Sequence, residues 1–142
     1  MQQHYKDILD IVIFALLGLM SIISFGVGFE RTLFYKRLHV SEYTNKKELE
    51  IDLGNNLTII STIASNAPYV GLLGTVFGII LTFFTIGANG MTDSGAIMTG
   101  LALALKATAF GLLVAIPSIV FHNYLVRKME VLLMRWDIHN GD

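Results

Sequence analysis

Long uncharged runs alternate with short charged ones along this chain, and that alternation sets the expected architecture. Residues 11–29 carry no charge, close to the ~20 apolar positions that a helix needs to cross a bilayer. Residues 53–92 carry none either. As one helix that second run would reach ~60 Å, twice the ~30 Å hydrocarbon core. Its first half (Asn55, Asn56, Thr58, Ser61, Thr62, Ser65 and Asn66) is polar and is expected to stand in water. The spanning part is then about 66–86, with Pro68 near its entry, where neighbouring helices can satisfy the freed carbonyl. A third run, 95–126, is broken only by Lys106 and spans about 96–126.

The charged stretches connect these runs. Residues 30–52 hold Arg31, Lys36, Arg37, Lys46 and Lys47 with Glu42, Glu48 and Glu50, and no Pro or Gly interrupts them. The helix is expected to continue out of the membrane here, as part of a solvated arm over 30–65. Ser41 or Thr44 could cap a new start, Thr44 being the better fit. Gly87-Ala-Asn-Gly-Met-Thr-Asp-Ser-Gly95 reads as a tight turn signalled by Asn89-Gly90, with Thr92 or Asp93 as N-cap of the next helix. Arg127, Lys128 and Arg135 lie in an amphipathic tail, 127–142, with Trp136 near its end. The first run lacks a basic leader and a small-residue cleavage site, so it reads as a retained span.

Lysine and arginine counts orient the chain. The arm holds five and the tail three, against one before the first span and none in the 87–95 turn. The expectation is one all-α domain over residues 1–142, with three transmembrane helices, the N-terminus outside, and arm and tail in the cytoplasm. Composition agrees: 54% of residues are hydrophobic, 15% are charged and the mean hydropathy is +0.62, whereas about a quarter of a soluble domain is charged. The net charge of −1 gives no reason to expect nucleic acid. The absence of cysteine excludes disulfides and thiolate chemistry.

Two helical faces carry the remaining information. Gly71, Gly74 and Gly78 share one flat face of the second span, the kind that lets helix backbones approach where no hydrophobic effect drives association. Thr75 lies beside it and Thr82 two turns on. In the third span Gly100, Ala104, Thr108, Gly111, Ala115, Ser118 and His122 form one small or polar stripe. Leu101, Leu105, Leu112 and Ile116 flank it, towards lipid or another subunit. Small residues alone would account for close packing, and Thr108 could bond back to its own helix. One embedded threonine per span, each on a small-residue face, points instead to a polar lining. Lys106 costs ~2.5 kcal/mol or more inside a bilayer, so it needs a partner, a cavity or the interface. Asp93 is thirteen residues away, ~20 Å along a helix. A charged Lys106 therefore calls for an acid on another chain or a watery passage, unless it snorkels outward or loses its proton. Lys106 and Thr108 lie ~200° apart and cannot both face one passage.

These residues resemble a known family. Ala67-Pro-Tyr-Val-Gly-Leu-Leu-Gly-Thr-Val-Phe-Gly-Ile-Ile80 is similar to the second-span signature of the ExbB/TolQ proteins, distant relatives of the MotA flagellar stator subunit. Lys106-Ala-Thr-Ala-Phe-Gly-Leu-Leu-Val-Ala-Ile-Pro117 with Phe121-His-Asn123 is similar to the third-span signature. The resemblance covers about 60–130 well and the first span by position only. It implies a proton-channel and motor subunit of the bacterial inner membrane without catalytic chemistry or a cofactor. It further implies a ring of five copies around an ExbD- or TolR-like single-span partner with a membrane aspartate, passing movement to a TonB- or TolA-like protein. By position, Thr75 and Thr108 correspond to the threonines facing that aspartate. Independently of the family, His122 at the cytoplasmic end of the third-span stripe could relay protons and, with Asn123, form a cytoplasmic exit, or it is simply an interfacial residue. Where better-known members have a third-span glutamate and an apolar residue, this chain has Leu103 and Lys106, ~60° apart on one flank. The longer cytoplasmic insertion is missing, which leaves a Ton-type role, a Tol-type envelope role and a non-conducting scaffold as the readings to separate. Membrane lipid is the one other expected contact. An enzyme has little support, since His4, His39, His122 and His139 are scattered with no recurring metal spacing.

Overall fold

The computed structural model describes residues 2–90 and 94–141. Helix α1 (Gln2–Arg37) leads through a 3₁₀ turn (Val40–Glu42) into a short helix α2 (Lys46–Gly54). Two long helices follow, α3 (Leu57–Asn89) and α4 (Ser94–His139). Three stretches are long and apolar enough to span a bilayer: His4–Arg37, Lys46–Ala88 and Ser94–His139. The all-α expectation with three spans therefore holds among the described residues.

Helices α3 and α4 form an antiparallel hairpin, with Thr82 against Gly100, Gly78 against Ala104 and Gly71 against Gly111. Helix α1 runs beside both, antiparallel to α3 and parallel to α4. Its buried positions are Ile13, Leu17, Ser24, Gly28, Arg31 and Tyr35, one face at helical spacing. Ile13 and Leu17 join Ile63, Ala67, Ala107, Val114 and Ala115 in a core of mostly small side chains. Outward-facing residues such as Ile22, Phe84, Leu113 and Val120 are exposed, as a lipid-facing surface requires.

The charged arm departs from expectation. Helix α1 ends at Arg37, and the chain restarts its helix at Asn45, whose side chain accepts from the Lys47 amide at 2.9 Å. Neither Ser41 nor Thr44 caps it. Asn45 precedes the first helical residue, which lets its short carbonyl reach back over the first turn. Nor is the arm a solvated connector. Leu49 and Leu53 are completely buried with Ile60 and Leu125, and Tyr35, Phe34, Leu133 and Trp136 pack around them. Polar ties complete this basic end. Arg31 Nη1 donates to the Asp52 carbonyl at 2.8 Å, and the Tyr35 hydroxyl donates to the Leu53 carbonyl. Both satisfy carbonyls at the end of α2 that have no partner within the helix. Trp136 Nε1 donates to the Tyr43 carbonyl at 3.0 Å, and Lys46 pairs with Asp137 at 2.9 Å. The tail is thus the last part of α4, docked on the arm.

The uncharged 53–92 run is not one helix. It breaks at Asn55–Asn56, where Asn56 takes the left-handed conformation (φ 67°) that asparagine tolerates. At the far end α3 continues through Gly87 to Asn89, so the turn begins later than the glycine suggests. Gly90 closes the helix at φ 62°, its amide donating to the Ile86 carbonyl. The expected caps Thr92 and Asp93 lie outside the described residues.

Candidate functional site

Glycine brings α3 and α4 together around the two threonines. A Cβ on Gly71 would stand 2.5 Å from the Ala107 carbonyl oxygen and 3.1 Å from the Gly111 Cα. One on Gly111 would stand 2.6 Å from the Ala67 carbonyl oxygen. A Cβ on Gly74 or Gly78 would meet the methyl of Ala107 or Ala104 at 2.8 Å, and one on Gly100 would meet Thr82. Any larger side chain at these positions pushes backbone from backbone.

At that separation the Thr75 and Thr108 hydroxyls reach each other, Oγ1 to Oγ1 at 2.5 Å. Thr75 Oγ1 also lies 2.9 Å from the Ala104 carbonyl oxygen and 3.4 Å from that of Gly71. A hydroxyl has one proton and two acceptor lone pairs. The arrangement that satisfies the more buried group has Thr75 donating to Ala104 and Thr108 donating to Thr75. Thr75 is buried by its own chain, only 5% exposed. Thr108 is only half-buried, and its oxygen has a lone pair left to accept a further donor. The pair is a bridge between two spans, buried at Thr75 and half-buried at Thr108.

The other residues singled out from sequence lie apart from this bridge. Lys106 and Leu103 are exposed on the outer surface of α4, and no ion pair among the described residues involves Lys106. His122 is half-buried and Asn123 exposed, ~21 Å further along α4 than Thr108. No hydrogen bond among the described residues links either of them to the threonines.

A second hydroxyl pair escapes the sequence. Ser24 Oγ and Ser118 Oγ are 2.6 Å apart, both buried, and Ser118 also donates to the Val114 carbonyl at 2.8 Å. It joins α1 to α4 as the threonines join α3 to α4. The available signal is register: Leu17, Ser24 and Arg31 are seven apart, on the face that α1 buries. Arg31, 4% exposed, was hidden for the opposite reason, because a charged residue beside a span reads as solvated.

A helical hairpin joined by glycines, with a hydroxyl bridge at its crossing, matches a family model over residues 28–138, that of the MotA/TolQ/ExbB proton channel family. The chain belongs to that family. It is 49% identical over all of its length to the biopolymer transport protein ExbB of Aquifex aeolicus, covering 96% of that protein. It is 52% identical over 133 residues to the biopolymer transport protein ExbB-like 2 of Helicobacter pylori, covering 94% of this chain and 89% of the relative. The short form is therefore shared with these relatives. Against ExbB of Pseudomonas putida the match is 40% over 78 residues, only 24% of that protein. The three spanning helices and the family together make this a multi-pass bacterial membrane protein of the biopolymer-transport type.

Proposed function

We propose that this chain is the proton-conducting motor subunit of an inner-membrane complex of ExbB–ExbD type. In that complex it uses the proton motive force to energise TonB-dependent uptake across the outer membrane. The observation that carries the reading is the Thr75–Thr108 bridge with its half-buried end at Thr108. Similarity to ExbB-type biopolymer transport proteins supports the ExbB branch over a Tol-type envelope role.

The chemistry follows from hydroxyl bookkeeping. A protonated carboxylic acid on a single-span partner donates to the open lone pair of Thr108 while Thr108 donates to Thr75. Once that acid has lost its proton, the Thr108 hydroxyl turns and donates to the carboxylate. Thr75 then turns its proton from the Ala104 carbonyl to the Thr108 oxygen, and that carbonyl keeps its bond within α4, so no buried group is orphaned in either state. The bridge thus serves both protonation states without adding a competing charge. Five copies around the partner, with arm and tail in the cytoplasm, present Thr108 of each copy in turn. Lys106 lies on a different face from Thr108, and there it pairs, directly or through water, with an acid of a neighbouring subunit or of the partner.

Thr108→Val tests this. It is nearly isosteric and removes only the hydroxyl. The expected result is an assembled complex of unchanged mass by native mass spectrometry, with TonB-dependent uptake in cells reduced about 100-fold, the low end of the range for a positioned proton-transfer group. Full uptake in Thr108→Val, alongside lost assembly when Gly71 is enlarged, would leave the chain as a scaffold. Lys106→Met with full uptake would remove the lysine from the mechanism without affecting the threonine bridge.

A further inference from the structure

At the basic end of the molecule a cavity of about 270 Å³ opens between α1 and α4. Lys36 from α1 and Lys128 and Arg135 from α4 line it, together with Tyr35 and Tyr124, and no acidic side chain does. The ion pairs among the described residues are Glu30–Arg31, Lys46–Asp137 and Arg127–Glu130, so none neutralises these three cations. The ammonium of Lys128 sits over the Tyr124 ring, 5.7 Å from its centroid. Tyr124 also borders a second groove of about 350 Å³, whose other walls are Ile116, Pro117, Val120 and Phe121, all apolar.

The two hollows therefore adjoin through one tyrosine and lie in sequence along α4. Val120, Tyr124 and Lys128 are four apart and share a face, so that face passes from hydrocarbon-like to aromatic to cationic. Arg127 and Lys128 are the first charges after Lys106, which sets this change at the edge of the apolar span, where tyrosines collect. A cationic pocket at the membrane surface beside an apolar groove within it has the shape of one amphiphile. Basic pockets between membrane helices hold anionic headgroups in this way.

We propose that this site binds an anionic phospholipid, with its phosphodiester and headgroup among Lys36, Lys128 and Arg135 and an acyl chain along Ile116, Val120 and Phe121. The continuity of the two hollows favours a whole lipid over free phosphate, which would use only the first. The lack of any acidic wall favours an anion over a zwitterion. The assignment is independent of the proton-motor reading.

The test is native mass spectrometry of the purified, delipidated complex, titrated separately with dioleoyl-phosphatidylglycerol and with dioleoyl-phosphatidylcholine. The expected result is preferential binding of phosphatidylglycerol. The double variant Lys36→Gln/Lys128→Gln should lose that preference, with about thirtyfold weaker phosphatidylglycerol binding. Val120→Trp, which fills the groove and leaves the charges, should weaken both lipids. An unchanged complex mass in each variant shows that it still folds and assembles. Equal affinity of the native complex for the two lipids would overturn the proposal, and so would a double variant that binds phosphatidylglycerol normally. Competition by soluble glycerophosphoglycerol at the same concentration as the full lipid would assign the pocket to a free phosphate ester instead. A photo-crosslinker at position 124 that captures a second copy of this chain and no lipid would assign the face to a subunit contact.

Discussion

Helix α4 is held at two places by opposite means. At Gly111 it meets α3 backbone to backbone, with no room for a methyl group, and the adjoining polar contact is a pair of hydroxyls. At Leu125 it meets α2 and α3 through Leu49, Leu53 and Ile60, all completely buried, with Tyr35 and Trp136 closing the sides. The difference follows from the solvent on each side. Within lipid, burying leucine gains little over leaving it among acyl chains, so close packing and interhelical hydrogen bonds must hold the helices. Where the chain meets water, burying large apolar side chains is itself the driving force. The hydroxyl bridge belongs to the first kind of contact, and only a glycine crossing lets two threonines on facing backbones come within bonding range.

The comparison predicts that one place breaks when atoms are added and the other when they are removed. The largest effect is expected from Gly71→Leu, because the Ala107 carbonyl and the Gly111 Cα cannot move aside as a flexible side chain would. The cost should exceed ~3 kcal/mol, seen as loss of a cooperative thermal transition in detergent. Gly18→Leu is the control, since a Cβ there meets nothing within 4 Å and the transition should stay put. If both variants behave alike, the crossing is not what holds the hairpin.

Leu53→Ala should come next, destabilising by ~2–5 kcal/mol through lost burial and the cavity left behind. Its signature is local: hydrogen exchange should speed up in α2 and the last turns of α4, while amides near Thr75 remain protected. Uniform deprotection of all helices would mean that the two regions are one cooperative unit.

The smallest effect is expected at Tyr43, whose hydroxyl donates to Asp52 Oδ2 at 2.7 Å. That hydrogen bond raises its pKa to about 12, with burial adding to it. Because the folded value lies above the ordinary ~10, the contribution is complete below pH ~10 and is lost as pH rises through about 12. Tyr43→Phe should therefore show a flatter loss of stability between pH 10 and 12 than the native chain, and match it more closely at pH 12 than at pH 8.

How much of this was legible in the residues depends on which neighbours each one needed. The three spans, the glycine face of α3 and the small-residue stripe of α4 follow from uncharged length and from 3.6-residue periodicity, which act within one segment. The family signatures at 67–80 and 106–123 sit on those same two segments. The 37–45 break was half in view: a new helical start was expected at Ser41 or Thr44, but nothing in the composition ends α1 at Arg37. What ends α1 there is α2 folding back, so that Arg31 and Tyr35 can reach the carbonyls at its far end. That Asn45 caps a helix while Asn56 takes the left-handed turn is settled by where the chain must go next.

The sequence by itself determined the class of molecule, its three spans and the faces along which they pack, because hydrophobic length and helical register are properties of single segments. Only the tertiary structure decided that Thr75 is buried while Thr108 is half-buried, that Ser24 finds Ser118, and that Lys36 and Lys128 border one cavity. Each of those depends on the rotation and depth of one helix against another, set between α3 and α4 by glycine contacts and between α1 and its neighbours by side-chain packing.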